Sequence, residues 1–164
     1  MRTLYLLRHA KSSWKETNLA DFDRPLSGRG RKASETVGSF LKDKEINLDL
    51  VVSSPALRAR QTIELVLRTA KMKPELRLDE RIYEATAGRL VEVVSQLENE
   101  HKAVLLVGHN PGMQELLLIL TGQNEEYPTA ALTKIAFKNL KWSDVGNRKG
   151  SLEWIVKPKD LDDK

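Results

Sequence analysis

Apolar residues fall in two rhythms along this chain. Short unbroken runs at Thr3–Leu7, Leu50–Val52 and Ala103–Val107 read as buried strands, and Leu76–Leu78 reads as a shorter one. Between them the spacing turns helical. Ala33, Val37, Phe40 and Leu41 share one face, as do Leu90, Val93, Val94 and Leu97, and then Met113, Leu116, Leu117 and Leu120. Ala56–Ala70 extends another helix, for which Ser53-Ser54-Pro55 supplies a hydroxyl cap and a first-turn proline. Asn110-Pro111 opens the last of these helices in the same way. Two late strands, Ala131–Lys138 and Leu152–Lys157, flank a hairpin loop at Trp142–Gly150. Strands alternating with helices predict a three-layer α/β/α fold, a mostly parallel central sheet with helices on both faces. Residues 1–157 form one domain, and 158–164 a frayed C-terminal tail.

Two of the strands end alike. Leu4-Tyr5-Leu6-Leu7 runs into Arg8-His9, and Val104-Leu105-Leu106-Val107 runs into Gly108-His109. Ligands of open α/β sheets sit outside the carboxyl ends of the strands. If the two strands are neighbours, both imidazoles stand at that edge. Arg58 lies about one turn into the helix after Leu50–Val52, so it reaches the same edge near a helix N-terminus, where anions are favoured. The long polar stretch Ser12–Gly30 is a loop of the length that compact domains reserve for function.

Composition narrows the chemistry. The 164 residues carry a net charge of +4, an excess that favours anionic substrates without pointing to nucleic acid. There is no cysteine, which excludes disulfides, thiolate chemistry and cysteine-ligated metals. No apolar stretch is long enough for a signal core or a membrane span, so a cytoplasmic protein with no membrane partner is expected. No paired-histidine metal motif is present, and no metal or cofactor is expected. Two arginines, two histidines and a helix N-terminus suit a tetrahedral dianion such as a phosphoryl group. Neutral imidazole can attack that group covalently, and a second imidazole can donate to the charge that builds up.

At these residues the chain resembles a known family. Leu7-Arg8-His9-Ala10-Lys11-Ser12 is similar to the RHG signature of the histidine phosphatase (phosphoglycerate mutase-like) superfamily. Ser53-Ser54-Pro55-Ala56-Leu57-Arg58-Ala59-Arg60-Gln61-Thr62 resembles its SSPxxRAxQT segment, and Val107-Gly108-His109-Asn110 its second-histidine segment. Asp23-Arg24-Pro25-Leu26-Ser27-Gly28-Arg29-Gly30 resembles the RPLxxxG stretch of the SixA-type phosphohistidine phosphatases. The four occur in the family's order over roughly the first two thirds of the chain.

The resemblance implies a phosphoglycerate mutase-like fold and a metal-independent phosphatase. His9 would be the nucleophile, Arg8 and Arg58 would bind phosphoryl oxygens, and His109 would complete the pocket. Glu80 sits where the mutase-like LxER segment carries a general acid, with Glu84 the competing choice and no acid at all the third. Ser12 follows the signature as a candidate phosphate contact. Ala10 replaces the usual glycine, so that position need not adopt positive φ. Few residues remain for a lid, which favours a phosphoryl group presented by a macromolecule, protein phosphohistidine first. A small phosphomonoester (a sugar phosphate or nucleotide) is the alternative substrate, and a non-catalytic phosphate-binding module a more distant reading. The oligomeric state is open, with a monomer favoured. Outside the motifs, Arg29, Arg31 and Lys32 read as a solvated helix start, with the mouth of the site as the other choice. His101 reads as exposed, Trp14 as a wall of the site, and Trp142 and Trp154 as packing residues.

Overall fold

A computed structural model describes residues 1–162. Six strands form one sheet in the order β3-β2-β4-β1-β5-β6. They are β1 (Arg2–Arg8), β2 (Leu50–Ser53), β3 (Glu75–Leu78), β4 (Ala103–Gly108), β5 (Leu132–Phe137) and β6 (Ser151–Val156). The first four in that order run parallel, β5 is antiparallel to β1, and β6 is antiparallel to β5. The helices are α1 (Gly28–Asp43), α2 (Leu57–Ala70), α3 (Ala87–Ser95), α4 (Gly112–Thr121) and the short α5 (Pro158–Asp162).

The handedness of crossovers sorts these helices into layers. From β1 the chain steps outward to β2 and then β3, and right-handed crossovers place α1 and α2 on one face. It then reverses direction to reach β4, so α3 and α4 fall on the opposite face. The core divides accordingly. Tyr5, Leu7, Val51, Leu105 and Val107 pack with Val37, Leu41, Ile63 and Val66 under α1 and α2. Leu4, Leu6, Val52, Val104 and Leu106 pack with Leu90, Val94, Leu116 and Leu117 under α3 and α4. β1 and β4 are buried on both faces, which is why they read as unbroken apolar runs rather than alternating ones. Gly38 lets α1 approach α2 closely, since a Cβ there would stand 2.6 Å from the Val66 carbonyl oxygen.

Three local expectations shift. α2 begins at Leu57, with Ala56 as its uncapped N-cap residue. The Ser54 hydroxyl accepts instead from the Ala56 N–H (3.2 Å), a tight turn that takes one early donor and delays the helix. The stretch from Pro158, expected as a tail, carries α5, where the Asp160 carboxylate accepts from the Lys157 N–H (3.2 Å). Residues 163–164 of that tail lie outside the described residues. Within the loop between β5 and β6, Trp142 is fully buried and its indole N–H donates to the His101 carbonyl (2.8 Å). That packing also covers His101, whose side chain is 13% exposed and sits 3.2 Å from Glu98.

Candidate active site

The reversal of direction occurs between β1 and β4, and it opens a crevice at their carboxyl ends. α1 leaves β1 on one face while α4 leaves β4 on the other, so neither helix covers the gap. Arg8 lies opposite Gly108 in the parallel register, and the His9 N–H donates to the Gly108 carbonyl (3.0 Å). The next residue on each strand is a histidine. The rings of His9 and His109 stand 4.9 Å apart, about one interstrand spacing.

A cavity of about 310 Å³ opens over these rings, walled by Arg8, His9, Arg24, Arg58 and His109 and rimmed by Ser12 and Trp14. The structure therefore brings together five of the six residues singled out from the sequence. Glu80 is exposed and lines a separate cavity with Arg81, Tyr83 and Glu84.

His9 is held in one tautomer. Its Nδ1 lies 2.7 Å from the Ala10 carbonyl oxygen, which can only accept, so the ring hydrogen is on Nδ1. That leaves the Nε2 lone pair free, and Arg58 Nε points at it from 3.4 Å. Burial drives the His9 pKa down from 6.5 to about 3, with the charges of His109, Arg58 and Arg8 adding to it. The imidazole is neutral at physiological pH, the state a nucleophile needs.

His109 is arranged differently. Its Nε2 is 2.7 Å from the Ser54 hydroxyl, and its Nδ1 faces Arg58 Nη2 at 3.4 Å. A guanidinium only donates, so Nδ1 is the acceptor and Nε2 carries the hydrogen. Burial, reinforced by Arg58, lowers its pKa to about 4, so this ring too is neutral at physiological pH.

Local contacts give the residues around Arg58 their roles. The Thr62 hydroxyl accepts from the Ala10 N–H (2.9 Å) and donates to the Arg58 carbonyl (2.6 Å). Gln61 accepts from the Leu26 N–H (2.8 Å). One turn of α2 thus pins both the segment after His9 and the loop that covers the site. Gly30 is required on the other side, because a Cβ there would stand 2.1 Å from the Lys11 carbonyl oxygen. Ala10 is fully buried and does not adopt positive φ.

Several residues of the site were not singled out from the sequence. Asp21 holds Arg58 through its carbonyl oxygen (2.8 Å from Nη1) and its carboxylate (3.1 Å from Nη2). The Tyr83 hydroxyl donates to the same carboxylate (2.6 Å), and it is the main cause of the lowered Asp21 pKa. Arg24 crosses the loop to the Ser12 hydroxyl (2.5 Å), the Ser13 carbonyl (3.3 Å) and Asp21 (3.2 Å), and its guanidinium lies 3.2 Å from the centre of the Trp14 ring. Arg8 Nη1 donates to the Tyr127 carbonyl (3.0 Å), as does the Asn110 amide (2.9 Å). Arg8 Nε is buried with no partner among the described residues. Asp21 lies 37 residues from Arg58 in the Ser12–Gly30 loop, whose length and polarity mark the stretch for function without singling out this residue.

A crevice at the switch point, a neutral tautomer-locked imidazole and clustered guanidinium groups define a phosphoryl-handling site built on histidine. Residues 4–91 match the histidine phosphatase superfamily (branch 1), and the chain belongs to that family. Among its relatives, the uncharacterized protein Rv1276c of Mycobacterium tuberculosis is 30% identical over 150 residues, 85% of this chain and 91% of that protein. A candidate phosphohistidine phosphatase SixA from Agrobacterium tumefaciens superposes with a TM-score of 0.83 at 27% identity, covering 96% of this chain and 98% of that one. The protein histidine phosphatase SixA in complex with tungstate gives 0.84 at 24% identity, covering 97% and 99%. The fold is thus the phosphoglycerate mutase-like α/β architecture. No helix among the described residues is long and apolar enough to cross a membrane.

Proposed function

We propose that this protein is a protein phosphohistidine phosphatase working through a phosphorylated His9. The observation that carries the substrate choice is the lining of the catalytic cavity. Its described residues include four cations, Arg8, Lys11, Arg24 and Arg58, and no carboxylate. An alkoxide leaves poorly unless an acid protonates it. Phosphohistidine does not need that acid, because the far nitrogen of its ring takes a proton near neutral pH and the imidazole then departs neutral.

In the first step His9 Nε2 forms a bond to phosphorus while the substrate's P–N bond breaks. Arg8 and Arg58 hold the phosphoryl oxygens, and His109, whose protonated form the bound dianion favours, takes a proton from solvent on Nδ1 and donates it as a hydrogen bond to the phosphoryl group. The positive charge left on the His9 ring is met at Nδ1–H by the Ala10 carbonyl. In the second step water forms the new P–O bond, the His9 N–P bond breaks, and the water's proton ends on the product phosphate. Phosphoryl transfer through a loose transition state asks mainly for positioning and charge stabilisation, which this set of residues supplies.

The test is a panel of a phosphohistidine protein, an aryl phosphate and an alkyl phosphate. Expected are turnover of the first two, an alkyl rate lower by about 10²-fold or more for want of an acid, and an acid-labile phosphoenzyme absent from His9→Ala. Glu80→Gln leaves all three rates within about twofold, because Glu80 stands outside the cavity. Efficient turnover of alkyl phosphates that Glu80→Gln abolishes would replace this reading with a small-molecule phosphomonoesterase.

A further inference from the structure

A second cavity of about 490 Å³ adjoins the first, and the two share Lys11 and Thr129. Its walls carry five cations: Lys11, Arg29, Lys32, Lys157 and Lys159. The rest of its lining is small or apolar, including Ala33, Pro128 and Pro158, and no acidic residue is among the described lining residues. None of the five cations forms an ion pair among the described residues.

The sheet topology puts these charges together. Two antiparallel steps, β1 to β5 and β5 to β6, make β6 run parallel to β1. Lys157, just past β6, therefore stands at the same edge as His9. Arg29 lies in the first turn of α1 and Lys32 at the start of its second, and the Ser27 hydroxyl ties that end of the helix to the Lys11 carbonyl (3.1 Å). The solvated helix start expected from the sequence is, for Arg29 and Lys32, one wall of this trough; Arg31 does not line it.

Asp160 stands close by, its carboxylate accepting from the Lys157 N–H (3.2 Å), but none of the five cations is ion-paired among the described residues; like charges so gathered repel one another, and the arrangement is stabilised when an anion enters. The trough is open to solvent, and its cations are on long side chains rather than buried groups. That geometry fits an extended chain better than a compact metabolite, which is gripped by a few buried polar groups. Resting on the reading of the protein as a phosphohistidine phosphatase, we infer that the trough is the docking site for an acidic segment of the substrate protein, lying beside the phosphorylated side chain. Catalysis and partner choice are then separate: the first cavity recognises the phosphoryl group, and the second recognises the flank.

The experiment compares phosphohistidine peptides with an acidic flank and with the same flank in Asn and Gln, alongside phosphotyrosine peptides with both flanks and p-nitrophenyl phosphate. The proteins are wild type, Arg29→Glu/Lys32→Glu, and Lys157→Glu from the opposite wall. Acidic residues near the N-terminus of α1 suit its dipole and both positions are exposed, so the double variant keeps its fold. Expected in wild type is a preference for the acidic flank of about tenfold in kcat/KM, weakening as salt rises. Each variant cuts that preference to about threefold or less, while p-nitrophenyl phosphate turnover stays within about twofold. No flank preference in wild type overturns the inference, as does equal loss on the aryl phosphate. A sugar bisphosphate whose turnover alone depends on Arg29 and Lys32 would also overturn it, by assigning the trough to small anions. If wild type ignores phosphohistidine with either flank, the proposed function falls, and the phosphotyrosine pair still decides the trough.

Discussion

Mild acid destabilises this fold by an amount that its two site histidines set. Burial pushes His9 from 6.5 to about 3 and His109 from 6.5 to about 4. In the unfolded chain both return to about 6.5. Well above that value neither state binds the proton, and the histidines contribute no pH dependence. Below it, the unfolded chain takes up protons that the folded protein refuses, so stability falls with pH until the folded values are reached. At pH 5 this amounts to about 2 kcal/mol for each histidine, against a typical total of about 5–15 kcal/mol. The assay is urea unfolding at about pH 8 and about pH 5 for wild type, His9→Gln and His109→Gln. A substitution also changes stability by a constant, which cancels when one protein is compared with itself at two pH values. Each variant should lose about 2 kcal/mol less than wild type between the two conditions. Carboxylate titration begins near the lower value and is common to all three proteins. Equal losses in all three would refute the burial of neutral imidazoles, and the proposed role of His9 as a neutral nucleophile would go with it.

Three substitutions probe the supports of the site. Arg58→Lys keeps the charge but cannot hold Asp21, face His9 and grip a phosphoryl oxygen at once, so kcat/KM on p-nitrophenyl phosphate should fall by about 10²-fold or more. Asp21→Ala removes the carboxylate that aims Arg58; because that carboxylate is 46% exposed, unfolding stability should change by less than about 1 kcal/mol. Its kcat/KM should nevertheless drop about fivefold to tenfold through KM, read from steady-state kinetics. Gly30→Ala drives a methyl group into the Lys11 carbonyl, costing about 1–3 kcal/mol in urea unfolding and lowering turnover by displacing the segment after His9.

The layered fold and most of the candidate site were legible in the order of residues. Unbroken apolar runs marked strands buried on both faces, and periodic helical faces marked what covers them. A histidine directly after a strand lies at a predictable edge, so Arg8, His9 and His109 could be placed once β1 and β4 were taken as neighbours. Arg58 followed from its offset along the helix after β2. These inferences use short-range geometry, which sequence spacing controls.

Other features depended on contacts between distant segments. Whether Glu80 or Asp21 approaches the site rests on how two loops pack, and loops have no periodicity to reveal it. Asp21 reaches Arg58 and Tyr83 only because the loop after β1 folds back over α2. The role of Ser54 as His109's partner rather than a helix cap came from its burial, where a hydroxyl must satisfy whichever groups surround it. The cationic trough is the clearest case. The sequence leaves Arg29 and Lys32 between a solvated helix start and the mouth of the site and gives no sign of Lys157, and it is the antiparallel return of β6 to the edge where β1 ends that sets these charges side by side. Charge acts through space, so its pattern emerged only when the sheet was assembled.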